Sequence, residues 1–554
     1  MSTGSTRSSR RRAANRQRLE TNRPAPAEPP ARGDGAVVTA GGRRPQISSR
    51  AFWVLAVAIL VVATALRVYA LSLNPFHHDE GINGWFVTNL VRRGEWEYDP
   101  ANYHGPTLFY FALVAQTLLG LTDEAMRLVP GLFGVATIVL TLLMRPFVGP
   151  LATLTAAALL AVSPGATYVS RYFIHESLVV FFTLALVLAV LYLLRGGRQR
   201  FLVLAAASVA LLLATKETGI VSLAVLAIAA GVGLAYIKLR HPPKAKAEKR
   251  SRKRRASGGC VPPDTARPEG RSLITPAGAA ASAIVFVVLY GLLFSSLLSN
   301  PQGLVDSLAT FTIWTQTGTE SQVQPIQQYL VWMLQADAPI LILGAVGGLL
   351  VAWRAHNRVA VFIGLWALGI TAAYSLVTYK TPWIALNMLV PLALVGGIGA
   401  SLMARHLRSR PLRAAAAAVL AGAIGVSGYQ AFDINFVHYD DENYPYVFVH
   451  TTRQALALVA ETDRIGRLAR TAADTGIVVV SPDYWPLPWY YRNQPRATFF
   501  GEIVPTEEPM VIANVNQDAE LAEVLGGRYR RTQVYTLRPG VDLALYVRAD
   551  MADP

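Results

Sequence analysis

Four consecutive residues, His77, His78, Asp79 and Glu80, place two imidazoles and two carboxylates directly behind a long apolar run. Such side chains exchange protons near neutral pH or ligate a cation. At membrane depth they are costly unless paired, metal-bound or facing a wet cavity. Comparable groups stand at the ends of other apolar runs: His104 in "YHGP", Arg171, His175 and Glu176 in "RYFIHES", Lys216 and Glu217 in "TKETG", and Lys380 in "TYKTPW". Cations alongside carboxylates suit an anionic substrate. Lysine and arginine would hold a phosphate, and a carboxylate would act as base or metal ligand. "HHDE" lacks the HExxH spacing of a helical zinc site, so no hydrolytic zinc centre is indicated.

The elements that must position these groups are apolar helices. The chain has 554 residues, 53% of them hydrophobic and only 16% charged. A soluble domain carries about 25% charged residues, so the balance points to a membrane. The apolar residues fall in runs near the ~20 residues that a bilayer core requires. Expected spans lie at about 52–73, 125–144, 151–170, 177–194, 201–215, 219–237, 277–298, 331–353, 359–377, 383–403 and 412–432, about eleven in all. The net charge of +16 sits in the N-terminal tail and in short segments between spans, where topology signals belong, rather than on a nucleic-acid-binding face. The single cysteine, Cys260, cannot form an intrachain disulfide.

Charge sets the expected topology. With residues 1–50 as a disordered basic cytoplasmic tail, "MRPFVG", "LRGGRQR", the basic loop 238–275, "WRAHNR" and "ARHLRSRPLR" all fall on the cytoplasmic side. The pattern holds only if 106–122 does not cross, so it is expected as a re-entrant or surface-lying helix within an outer loop, 74–122. The membrane domain then covers 51–435. The polar remainder, 436–554, reads as an extracytoplasmic α/β-like domain, with strand runs "GIVVVSPD", "PMVIANV" and "VDLALYVRA" and a helical "TTRQALALVAETDRIGRLAR". Within it "SPDYWPLPWYYRN", residues 481–493, is unusually aromatic, either as a packed turn or as a carbohydrate platform.

The order of these features resembles a known family. The acidic pair after the first span, the Gly-Pro turn into an aromatic helix, "MRLVPGLFGVATIVLTLL", "AVSPGATYVSRYFIHESLVVFFTLALVLAVLYL", "ATKETG" and "YKTPWIALNMLVPLAL" are similar to the GT-C glycosyltransferases. The nearest likeness is to the protein O-mannosyltransferase and aminoarabinose-transferase branch. "HHDEG", "RYFIHES" and "YKTPW" resemble its flippase-activity-associated subgroup in archaea and bacteria. The resemblance implies transfer of a sugar from a polyprenyl phosphate to a lipid, glycan or protein acceptor on the outer face of the plasma membrane. It implies Asp79 as the catalytic base with Glu80 beside it, and Glu176 in the second acidic position. Phosphate contact would pass among His104, Arg171, Lys216 and Lys380. A divalent cation of unknown identity, if used, would engage Glu176, His175 and His78.

Two other functional classes remain open on the sequence. A transporter or flippase for lipid-linked sugars would carry repeated halves and mid-membrane charges. A non-catalytic scaffold of a glycan-assembly complex would need no base. Polar groups gathered at span ends and the lack of an internal repeat favour the enzyme. No "WWD" motif supports an en-bloc oligosaccharyltransferase.

Overall fold

The computed structural model describes residues 47–94, 98–102, 104–240, 273–317, 323–354 and 357–551. The expected N-terminal tail, except its last four residues, and most of the basic loop with Cys260 lie outside them.

The polar residues and prolines between apolar runs set the helix limits. The membrane part contains α1 (Ser49–Val68), α2 (His78–Arg93), α3 (Thr107–Leu119), α4 (Asp123–Leu143), α5 (Pro150–Ala161), α6 (Pro164–Ser170), α7 (Glu176–Gly196), α8 (Gln199–Leu213) and α9 (Gly219–Arg240). It continues through α10 (Pro276–Phe294), α11 (Gln302–Thr317), α12 (Gln328–Ala336), α13 (Ala338–Arg354), α14 (Arg358–Leu376), α15 (Leu386–His406) and α16 (Arg410–Phe432). Among the described residues eight helices are long and apolar enough to cross a membrane, or up to ten if each of two bent pairs is one span. The remaining expected span corresponds to α8, whose 15 residues reach only ~22 Å against a core of ~30 Å. The 13-residue α3 occupies the stretch expected not to cross.

Two spans expected as straight are bent. Helices α5 and α6 meet at 61°, and α12 and α13 at 116°. The first bend has a local cause: Pro164 cannot donate a backbone N–H, and the Ser163 hydroxyl caps the new helix by accepting from Ala166 at 3.0 Å. The second turns at Asp337. Its buried carboxylate accepts from Ser163 Oγ at 2.5 Å, Gly165 N at 3.2 Å and Tyr446 Oη at 2.8 Å. One side chain therefore ties both bends to the segment that enters the C-terminal domain.

Helix α15 runs through the centre of the bundle, with 94% of its spanning window buried. Glycine permits the contact. A Cβ on Gly397 would come within 2.2 Å of the Ala152 carbonyl oxygen, and one on Gly399 within 2.5 Å of Gly347 Cα. Small residues at such crossings let apolar helices approach backbone to backbone.

The C-terminal domain contains α17 (Arg453–Leu468), β1 (Ile477–Val479), β2 (Ala497–Phe499), β3 (Met510–Asn514), α18 (Asp518–Leu525), β4 (Tyr529–Arg538) and β5 (Val541–Arg548). The sheet order is β2-β1-β3-β5-β4, with β2, β1 and β3 parallel and β3, β5 and β4 antiparallel. Side chains alternate between two apolar layers. Ile477, Met510, Ile512, Leu543 and Leu545 pack with Ala455 and Leu458 of α17, while Val478, Val511, Ala513 and Ala544 pack with Leu521 and Leu525 of α18. Burial on both faces is why the central strands read as continuous apolar runs.

Candidate active site

Helix α2 fixes the acidic cluster. His77 is its N-cap: the ring Nδ1 accepts from Asp79 N at 3.1 Å, and the Glu80 carboxylate accepts from His77 N at 2.9 Å. Asp79 and Glu80 occupy the first turn and Arg92 and Arg93 the last, as the helix dipole favours, and Gly94 ends the helix at φ 71°. This geometry separates the two carboxylates. Glu80 is fully buried, and its Oε1 accepts from Arg127 Nε and Phe173 N, both at 2.7 Å. Its Oε2 accepts from an Arg127 terminal nitrogen at 2.6 Å as well as from His77 N. Arg127 spends its other donors on the carbonyls of Leu71, Asn74 and Pro75 at 2.6–2.9 Å. Glu80 is thus an anchor with filled lone pairs, not a free neighbour of the base. Asp79 points outward, its side chain 39% exposed, with the nearer oxygen 4.0 Å from His77 Nδ1.

The C-terminal domain closes over this cluster. The stretch 481–493 is a packed turn through most of its length. Trp489 stacks on Phe76 with centroids 4.8 Å apart and donates from Nε1 to Asp123 Oδ1 at 2.8 Å. Tyr490 Oη accepts from Phe76 N at 2.7 Å, and Pro486 presses on Gly81 where any Cβ would come within 2.5 Å. His450 is also tied down, its Nε2 donating to the Pro75 carbonyl at 3.0 Å. His77 lies between Tyr172, His450 and Trp383, at centroid distances of 5.2, 5.6 and 5.8 Å, and its Nε2 donates to the Phe448 carbonyl at 3.2 Å. Burial, with the neighbouring His78, pushes the His77 pKa down to about 3. Burial and His77 likewise hold His450 well below the usual imidazole range. Both rings are neutral, and the tautomer of each is set by the carbonyl it contacts. Burial also lowers the half-buried His78, partly opposed by Asp79.

The second group of residues forms ion pairs among themselves. Glu176 Oε1 lies 2.5 Å from Lys216 Nζ, and His104 Nδ1 lies 3.0 Å from Glu217 Oε2. Burial opposes the Lys216 charge, but Glu176 and Glu217 outweigh it and raise the ammonium above its ordinary range. His175 is buried against His104, centroids 4.8 Å apart, and its Nε2 has no hydrogen-bond partner. Arg171 is used elsewhere. It donates to the carbonyls of Leu66, Tyr69 and Ala70 at 2.6–3.1 Å, closing the C-terminal end of α1. Lys380 is buried, donates to the Val377 and Gln324 carbonyls, and lies 6.0 Å from the Tyr329 ring centre. Among the described residues no carboxylate lies within ion-pair distance of it.

The cation set expected from the sequence does not form. Among the described residues no three His, Cys, Asp or Glu side chains converge to hold a metal ion. Glu176 is bound to Lys216, His175 faces His104 and Phe109, and His78 faces Trp485, so their donor atoms serve different neighbours. Arg127 and Asp337 do not stand out as site residues in the sequence, and Trp485 does so only as part of the aromatic stretch 481–493. Arg127 had a usable signal, as an arginine inside an otherwise apolar run must meet a buried carboxylate or carbonyls.

The molecule is a bundle of apolar helices, two pairs of them bent, under a sheet domain, with an acidic cluster where the two meet. Residues 103–242, which contain His104, Arg171, His175, Glu176 and Lys216, match the family model described as dolichyl-phosphate-mannose-protein mannosyltransferase. The chain is structurally similar to ArnT from Cupriavidus metallidurans in the apo state, with a TM-score of 0.62 and 13% identity over 92% of this chain and 100% of that one. ArnT bound to undecaprenyl phosphate gives a TM-score of 0.58 and 14% identity at the same coverage. The oligosaccharyltransferase AglB from Archaeoglobus fulgidus, in complex with an inhibitory peptide and a dolichol-phosphate, gives 0.53 and 12% identity over 91% of this chain and 75% of that one. No curated protein matches by sequence. The fold is similar to those of ArnT and AglB.

Proposed function

We propose that this chain is a multi-pass membrane glycosyltransferase that moves a sugar from a polyprenyl-phosphate donor to an acceptor hydroxyl, with Asp79 as general base. The observation that carries the reading is the division of labour at the head of α2. Glu80 is saturated by Arg127 and two backbone N–H groups, while Asp79 beside it is held out, exposed and pre-oriented. In the reaction the acceptor oxygen attacks the anomeric carbon, the carbon–oxygen bond to phosphate breaks, and the acceptor proton passes to Asp79. The leaving group is the polyprenyl phosphate. General-base assistance of this kind contributes ~10²–10⁴-fold.

Lys380 is the anchor for the donor phosphate. A buried ammonium carries three donors, and the two carbonyls it meets leave its charge unneutralised, ready for an anion. Lys216 is matched by Glu176, and Arg171 is committed to carbonyls. Two neighbours of this fold were solved with a lipid phosphate, undecaprenyl phosphate in one and a dolichol-phosphate in the other, which supports a lipid-phosphate donor. The distribution of basic segments supports placing the C-terminal domain and Asp79 on the outer face of the plasma membrane.

The test uses full-length protein in nanodiscs with labelled polyprenyl-phosphate sugars. Asp79→Asn is expected to keep donor binding and lose at least about a hundredfold in turnover. Lys380→Ala is expected to weaken donor binding about ten- to a hundredfold, as loss of a charge-assisted contact of ~1.5–3 kcal/mol requires. Normal turnover by Asp79→Asn would overturn Asp79 as the base, and no release of sugar from any such donor by the wild type would overturn the transferase reading in favour of a transporter or scaffold.

A further inference from the structure

Most of the aromatic stretch 481–493 is buried in docking, but its first two rings are only partly covered: a Cβ on Gly81 would lie 3.4 Å from Trp485 Cε3, and one side of Tyr484 packs on the sheet core. Trp485 and Tyr484 remain half-buried, as does Phe499 on β2. With His78 they make a continuous row. The His78 and Trp485 centroids are 6.4 Å apart, Trp485 and Tyr484 5.5 Å, and Tyr484 and Phe499 5.5 Å. The row begins one residue from the proposed base and runs onto the C-terminal domain. A polar pair lies along it. Arg538 donates to Asp483 Oδ1 at 2.6 Å and to the Trp485 carbonyl at 3.1 Å, fixing the loop that carries both rings, and the Asp483 side chain is still 40% exposed.

From this arrangement we infer that the row is the binding subsite for a saccharide acceptor, and hence that the acceptor is a glycan chain. The inference rests on the transferase reading above. Pyranose and furanose rings have one flat face of C–H groups and an edge of hydroxyls. Flat aromatic side chains supply large contact area at low entropic cost, and a half-exposed carboxylate with an adjacent guanidinium supplies an acceptor and donors for the hydroxyl edge. A row of several rings fits several sugar units in succession, with the terminal hydroxyl delivered to Asp79. An extended peptide would instead need a free strand edge or backbone partners along the track. Trp485 and Tyr484 lie on a loop and offer ring faces, and the edge strand β2 that carries Phe499 has only three residues, too short a ladder to hold a peptide along the whole row.

Equilibrium dialysis of full-length protein in nanodiscs against tritiated tetrasaccharides of mannose, glucose and arabinose reads this subsite without any donor. The expected result is saturable binding of at least one tetrasaccharide, weakened at least about tenfold in Trp485→Ala and in Tyr484→Ala and unchanged in Trp353→Ala, at the far end of α13. Trp485→Leu keeps apolar bulk without the flat face and is expected to bind as poorly as Trp485→Ala. Absence of saturable binding up to ~10 mM, equal binding by the ring variants, or preference for a Ser/Thr-rich peptide over every tetrasaccharide would overturn the inference. Because no lipid-phosphate sugar is present, wild-type protein that binds tetrasaccharide but turns over no donor counts against the transferase reading alone.

Discussion

Replacing each carboxylate at the head of α2 by its amide separates structure from chemistry. Glu80→Gln keeps the shape of the side chain but removes its charge and turns one oxygen into a donor. At a site where four donors converge, that leaves the Arg127 guanidinium buried without its counter-charge and at least one N–H facing N–H. Breaking a buried pair from one side costs ~3–5 kcal/mol, a large share of a total stability of ~5–15 kcal/mol. Asp79→Asn alters a half-exposed group with no buried partner, and is expected to stay within about 0.5 kcal/mol of wild type. The assay is paired: apparent melting temperature in nanodiscs, and turnover of lipid-phosphate sugar well below that temperature. Glu80→Gln should lose stability first, with turnover reduced in the proportion that remains folded. Asp79→Asn should melt like wild type and lose turnover. A Glu80→Gln protein that melts normally yet is as inactive as Asp79→Asn would refute the assignment of Glu80 as an anchor.

Two further outcomes follow from the docked C-terminal domain. His77 and His450 are neutral in the fold with depressed pKa values, His77 to about 3, while the unfolded imidazoles titrate near 6.5. The unfolded chain therefore binds the extra protons as pH falls, so stability is full above pH ~6.5 and declines by about 1.4 kcal/mol per unit for His77 between pH ~6 and ~3, with His450 acting in the same direction. Melting curves across this range check it, and His77→Asn, which keeps an N-cap acceptor, should flatten the slope. At Gly84, a Cβ would lie 2.5 Å from Trp489 Cε3. Gly84→Ala should lose ~1–3 kcal/mol through overpacking and open the 433–452 connection to protease, whereas Gly422→Ala, with nothing within 4 Å, should not.

The parts of the fold that were legible in the sequence are those in which a segment's pattern and its environment agree. Central strands β1, β3 and β5 are apolar because both faces are covered, and α17 shows its amphipathic stripe. Strand β4 was not legible: its sequence "YRRTQVYTLR" is largely exposed on the sheet edge, so packing leaves no alternating signature. Strand β2 has three residues and sits at the other edge. The bends failed for another reason. Hydropathy averages along a run, so a run interrupted by Ser163-Pro164 or by Asp337 still scores as one span, although the backbone turns by 61° or 116° there.

The site shows the same limit at the scale of single side chains. The sequence places His104, Glu176, Lys216 and Glu217 near one another as ends of neighbouring runs, and these do meet in two ion pairs. It cannot say which charges neutralise each other, because that depends on rotamers and on packing across segments far apart in the chain. Asp79 and Glu80 are adjacent and chemically almost equal, yet one is fully buried against an arginine 47 positions on and the other is held toward the opening. The deciding residues are Arg127, on a different helix, and Phe173, whose N–H is aimed by the turn before α7. A similar choice is made at the cations. Arg171 looks like a phosphate ligand by charge and place, but the carbonyls at the end of α1 take three of its five N–H donors. Among the described residues Lys380 meets two carbonyls and the Tyr329 ring, which solvate its protons without cancelling its charge. Of the cations proposed from sequence, it is therefore the one whose surroundings still call for an anion.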